Sequence, residues 1–159
     1  MNGGADEIPL PEGPGRLWLC GKHFIGPDPE LVLSRLGADR VVCLCERHEI
    51  EDRYPKYADW LEVHDLGRAR WRPVHDLHAP ELAAALSLVD ELRSMITAGH
   101  GIVMHCGAGI GRAGTMAAAL LIRMGLDEPA ARRVVAQARP LAGPEAGPQA
   151  DLLLAIRPG

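Results

Sequence analysis

A cysteine and an arginine six residues apart, joined by a glycine-rich run, are the residues of this 159-residue chain best suited to chemistry: His105-Cys106-Gly107-Ala108-Gly109-Ile110-Gly111-Arg112. Three of the five intervening residues lack a Cβ, so the loop can curl tightly and turn successive N–H groups inward as a nest for an anion. The following AGTMAAALLIRM reads as a helix, whose N-terminus adds partial positive charge. Arg112 can offer a phosphoryl group two parallel hydrogen bonds, a geometry lysine cannot copy. The same surroundings lower a thiol pKa from about 8.5 to about 4–6. Cys106 would then be a thiolate, the nucleophilic form. The competing reading is a buried apolar thiol beside an ordinary turn.

Such a loop needs a strand to deliver the cysteine and a helix to receive the arginine. IVM (102–104) is a short apolar run feeding into His105, and the helix after Arg112 ends at Gly125. Upstream, 16–25 and 40–46 read as strands. Asp28 with Pro29 opens a short helix that ends near Gly37. The run 60–66 (WLEVHDL) is expected to be a further strand, and 67–79 a loop. Pro80 to Ala98 is the clearest helix, with a stripe of Leu82, Leu86, Val89, Leu92 and Ile96. Asp127 and Pro129 open another helix to about Ala138, and a last one covers about 149–156. Strands alternating with helices predict one α/β domain over 16–159, a mostly parallel sheet covered on both faces. The cradle would sit at the carboxyl end of a strand, where such sheets bind ligands.

Bulk properties narrow the function. With 47% hydrophobic residues the chain can bury a core, and no apolar stretch approaches the roughly 18 residues of a membrane span. Residues 1–15, rich in Gly, Pro and acids, read as a flexible segment and not as a secretory signal. A net charge of −4 disfavours nucleic acid and anionic membranes as partners. Cys20, Cys43, Cys45 and Cys106 lack paired metal-ligand spacing and are too few for a disulfide framework, so a reducing cytoplasm is expected.

The segment HCGAGIGRAGT resembles the phosphate-binding loop of the cysteine-based protein tyrosine phosphatases, whose signature is HCx5R followed by Ser or Thr. Length and element order over about 16–157 are similar to the compact dual-specificity branch, including the kinase-inhibitor-associated phosphatases. The resemblance implies that Cys106 is the nucleophile and that Arg112 binds phosphate. It implies too that the N–H groups of Gly107, Ala108, Gly109, Ile110, Gly111 and Arg112 cradle its oxygens, and that His105 tunes the thiolate. It also implies a general acid on a loop framed by prolines. Pro73-Val74-His75-Asp76-Leu77-His78-Ala79-Pro80 fits, so Asp76 is assigned as acid and then as base for water. Asp65 is its rival.

This chain departs from the family at Ala113, where the family's hydroxyl helps the cysteine leave; Thr115, one helical turn on, is the available substitute. Breakdown of the phosphocysteine is expected to be slow and the Cys106 pKa slightly raised for it. Gln149 resembles the glutamine that orients water, although Gly147-Pro148 replaces the usual flanking residues. In the resembling branch a cysteine at the place of Cys45 can pair with the nucleophile under oxidation. Arg68, Arg70 and Arg72 could attract acidic phosphopeptides or simply form a solvated face, and Trp71 could shape the rim. No cofactor or metal is expected, since cradle and arginine already neutralise phosphate. The reading is a phosphatase for phosphotyrosine, and also phosphoserine and phosphothreonine, in proteins or peptides. The alternatives are an inositol-phosphate or phosphoinositide phosphatase, against which the uncharged cradle residues argue, a phosphate-binding pseudophosphatase, and a sulfur transferase.

Overall fold

The apolar runs at 16–21, 41–43 and 101–106 pair with one another because each is buried on both faces, as parallel strands must be. The computed structural model describes residues 4–159. Strands β1 (Asp6–Ile8), β2 (Arg16–Gly21), β3 (Arg40–Cys43), β4 (Ala69–Trp71) and β5 (Gly101–Cys106) form one sheet in the order β1-β2-β5-β3-β4. β1 runs antiparallel to β2, and the other pairings are parallel. In the central register Cys43 lies opposite His105 and Gly21 opposite Cys106. The site loop therefore leaves the middle of the sheet.

Helices cover both faces, as expected. On one side stand α4 (Leu82–Thr97), α5 (Gly111–Arg123), α6 (Glu128–Ala138) and α7 (Gly147–Ala155). Residues Gly111 to Ile122 of α5 are all buried, which is why this helix carries alanines and leucines on every side. α4 packs through Ala85, Leu88, Val89, Leu92, Met95 and Ile96, while Leu82 of the expected stripe stays exposed. On the other side α1 (Lys22–Ile25), α2 (Pro29–Leu36) and α3 (Pro55–His64) enclose a second core around Tyr57, Leu61 and Val41. The Asp28 side chain caps α2 and Gly37 ends it at φ +68. No helix among the described residues is long and apolar enough to cross a membrane.

Four segments differ from their sequence reading. The run 60–66 is not a strand: α3 starts at Pro55 and buries Tyr57, Ala58 and Leu61 at helical spacing, leaving Val63 exposed. The short strand of this region is instead β4, inside the expected loop, held parallel to β3. The first expected strand stops at Gly21, where α1 begins. The segment 1–15, read as flexible, contains β1, whose Ile8 is buried in the core and whose Glu7 pairs with Arg16. Three residues are too short for a strand signal, and pairing to β2 supplies what local sequence does not. Residues 1–3 of that segment lie outside the described residues.

Candidate active site

Cys106 ends β5, five residues turn, and Arg112 lies in the first turn of α5. The loop is held from outside by its carbonyls. Gly107 O accepts from the Lys22 N–H at 2.9 Å, and Ile110 O from the Gly143 N–H at 3.0 Å. Arg139 fills the interval: its Nη2 donates to Ala108 O at 2.9 Å and its Nε to Gly109 O at 2.9 Å. With four successive carbonyls fixed on the convex side, the N–H groups turn to the concave side, the arrangement that binds anions. Gly109 has φ +74, and a Cβ there would collide with the Cys20 carbonyl, so glycine is required twice over.

Arg139 was not singled out by sequence. It follows α6, is buried, and is anchored by Asp6 Oδ2 at 2.9 Å and Gly4 O at 3.1 Å. The N-terminal strand thus reaches the back of the cradle through one guanidinium. Its only sequence signal is an arginine before Pro140 at the end of an amphipathic helix.

Arg112 is 4% exposed and joins the carboxylate of Glu49 fork to fork: Nη1 to Oε2 at 2.8 Å and Nη2 to Oε1 at 2.7 Å. Nη1 also donates to Val74 O at 2.8 Å. Its Nε is buried and has no acceptor among the described residues, a donor that an incoming oxygen would satisfy. Glu49, likewise missed, closes a 3-10 turn at Arg47–Glu49 and accepts from the Glu46 N–H at 2.7 Å. The spacing Glu46-x-x-Glu49 is the one local cue, since it forms a capping box.

Asp76 is brought to the same place. Its Oδ1 lies 3.5 Å from Arg112 Nη2, its side chain is 66% exposed, and Leu77 behind it adopts φ +66. Asp65, the rival, is otherwise engaged: Oδ1 accepts from the Trp71 N–H at 2.9 Å and sits 3.6 Å from Arg72. Arg68, Arg70 and Arg72 pair with Glu30, Glu91 and Asp65, so this run ties elements together. Trp71 donates its Nε1 to Cys45 O, with the Arg47 guanidinium over its ring.

The Cys106 thiol is 3% exposed and accepts from the Ala113 N–H at 3.5 Å. Burial is the largest influence and pushes the thiol up; the Ala113 N–H, the Arg112 charge and the Gly109 N–H oppose it without prevailing. The lowering read from the motif is therefore not what this geometry gives. The physical reason is burial, which disfavours the charged thiolate more than the neighbouring N–H groups and guanidinium favour it. Thr115 Oγ1 is buried without a hydrogen-bond partner, and so makes none to Cys106. His105 is fully buried, its Nε2 2.6 Å from Tyr57 Oη and its Nδ1 3.2 Å from Cys106 O.

Gln149 is buried too. It accepts from the Glu145 N–H at 2.7 Å and donates to His78 O at 3.2 Å, joining the last loop to the acid loop. Cys45 is buried beside Cys43 and His105, and all four cysteines are unpaired. The Cys43 thiol first, and His105 with it, hold Cys45 below the ordinary thiol value against the effect of burial. Cys43, Cys45 and His105 converge closely enough to ligate a metal, as do Glu46, His48 and Glu49. In the first cluster both His105 nitrogens are engaged, and in the second Arg112 and the Glu46 N–H occupy the Glu49 carboxylate.

A family model described as "PTP-SAK: Swiss Army Knife protein, DSP-PTPase phosphatase domain" matches residues 26–158. No curated protein matches the sequence. Among solved structures, Tk-PTP in its active form is 24% identical with a TM-score of 0.69, covering 94% of each chain. Kinase associated phosphatase, with serine in place of its catalytic-site cysteine, is 18% identical with a TM-score of 0.76, covering 94% of this chain and 91% of its own. PTPMT1 in complex with PI(5)P is 18% identical with a TM-score of 0.66, covering 86% of each.

Proposed function

The chain belongs to the DSP-PTPase phosphatase domain family, within the compact dual-specificity-like cysteine phosphatases, and on that premise we propose that it hydrolyses phosphotyrosine, and phosphoserine and phosphothreonine as well, through a phosphocysteine on Cys106. The observation that carries this reading is the buried Arg112 Nε with no acceptor, set in a loop whose carbonyls are all held outward beside Cys106.

In the first half of the reaction the loop N–H groups and Arg112 take the phosphoryl oxygens, the Cys106 thiol gives its proton to solvent, and the resulting thiolate attacks phosphorus. The S–P bond forms as the P–O bond to the alcohol breaks, and Asp76 gives that oxygen its proton. In the second half Asp76 removes a proton from water, the water oxygen attacks phosphorus, and the thiolate leaves. His105, fixed by Tyr57 and the Cys106 carbonyl, orients the end of β5.

An inositol-phosphate or phosphoinositide substrate is the second reading. It is favoured by the fold shared with PTPMT1, seen with PI(5)P. The absence of any charged side chain at Gly107 to Gly111 weighs against it. Hydrolysis of para-nitrophenyl phosphate with a Cys106→Ser control tests the chemistry, and a panel of phosphotyrosyl, phosphoseryl and inositol phosphates tests the substrate. An inactive protein that still bound tungstate would instead be a phosphate-binding module.

A further inference from the structure

Resting on that phosphatase reading, we propose that Glu145 makes the site selective for phosphopeptides that carry arginine or lysine beside the phosphorylated residue. Glu145 is exposed, yet its carboxylate lies so close to the first residue of α5 that a Cβ on Gly111 would collide with its Oε1. Its place is fixed through the main chain. The Glu145 N–H donates to the buried Gln149 at 2.7 Å, and two residues earlier Gly143 is bonded to the cradle carbonyl of Ile110. The carboxylate therefore belongs to the rim of the anion site although its side chain forms no ion pair among the described residues.

The basic side chains around Glu46 and Glu49 are already engaged. Arg112 pairs with Glu49, and Lys22 Nζ donates to Glu49 O at 2.9 Å. His75 and His48 both face Glu46, while Arg47 pairs with Glu51 and Glu62. Asp76 faces Arg112 at 3.5 Å, whereas the exposed Glu145 carboxylate has no ion-pair partner among the described residues. A phosphate entering the cradle is compensated by N–H groups and Arg112, but whatever flanks it meets the Glu145 carboxylate. A guanidinium or ammonium there is attracted; a second phosphate or an acidic residue is repelled. The effect is that of a partly solvated charge pair, so it is modest and sensitive to salt.

The test uses the full-length Cys106→Ser protein and matched phosphotyrosyl peptides with basic or acidic neighbours. The basic peptide is expected to bind about 2–5-fold more tightly at low salt. That preference should vanish in Cys106→Ser/Glu145→Gln and reverse in Cys106→Ser/Glu145→Lys. Equal affinities, no binding of either peptide, or a preference that survives Glu145→Gln would overturn the proposal. So would tighter binding of the acidic peptide or of phosphatidylcholine vesicles containing phosphatidylinositol 5-phosphate. If wild-type protein failed to hydrolyse para-nitrophenyl phosphate while the peptide preference held, the phosphatase reading would fall and this one would stand.

Discussion

Glu49 and Arg112 meet fork to fork, at 2.7 and 2.8 Å, and this contact leaves Nε as the one guanidinium donor without a partner. Glu49 therefore aims the arginine and also spends part of its charge. Glu49→Gln should lower kcat/KM about 10–100-fold by freeing the guanidinium to rotate.

The same pair gives a pH dependence of stability. Burial, the largest influence, acts to raise the Glu49 pKa, but the Arg112 hydrogen bond, the Glu46 N–H and the Arg112 charge hold it below the ordinary value. A carboxylate depressed on folding stabilises fully above its unfolded pKa of about 4.3, and loses that contribution as pH falls through the lower folded value. The thermal midpoints of wild type and Glu49→Gln should therefore differ most near neutral pH and converge below about pH 4. A gap that widened on acidification would contradict the assignment.

On the proposed mechanism Asp76 serves chemistry and Asp65 architecture. Asp76→Asn should reduce kcat on a phenyl phosphate about 10²–10⁴-fold with little loss of stability. Asp65→Asn should weaken the α3–β4 connection, where it accepts from Trp71 and faces Arg72, and leave kcat within a few fold. The two thermal melts and two rate measurements decide the matter, and an Asp76→Asn protein of full activity would end Asp76's candidacy.

Ala113 offers only its N–H to Cys106, and the Thr115 hydroxyl does not reach it. Ala113→Ser should speed hydrolysis of the phosphocysteine, seen in rapid-mixing experiments as a smaller burst and a faster steady state. An unchanged or slower steady state would show that thiolate departure is not limiting.

Arg139 links Asp6 to the carbonyls of Ala108 and Gly109. Asp6→Asn, at an edge strand remote from the reacting atoms, should weaken tungstate binding several-fold by loosening the loop. Arg139→Met should do so more strongly and lower the melting temperature by leaving two loop carbonyls unpaired. Tungstate titration of both variants reads the effect directly.

Cys45 lies on the chain just beyond β3, beside the strand that ends in Cys106, and His105 and Cys43 favour its thiolate. Mild peroxide should oxidise Cys106 to a sulfenic acid. Cys45 thiolate then attacks that sulfur, hydroxide leaves, and a disulfide forms. Mass spectrometry should find the 45–106 crosslink, and a sulfinic acid on unpaired Cys106 would argue against it.

What the chain determined alone was the local machinery. The glycines between a strand and a helix pointed to a cradle, and at Gly109 the positive φ and the close approach of the Cys20 carbonyl are conditions only glycine meets. The Asp28 cap, the Gly37 stop and most helices were legible for the same reason, that their signals lie within a few residues. Tertiary structure decided what had to come from far away. Glu49, Arg139 and Glu145 carry ordinary surface-type side chains, and only the packing of separate loops against 107–112 gives them a task. α3 reads as a strand in sequence because Leu61-Glu62-Val63-His64 alternates, whereas the core accepts Tyr57, Ala58 and Leu61 at helical spacing. The thiol of Cys106 differs most. Motif chemistry favours a thiolate, but burial outweighs the Ala113 N–H, the Arg112 charge and the Gly109 N–H, and burial is not written at position 106.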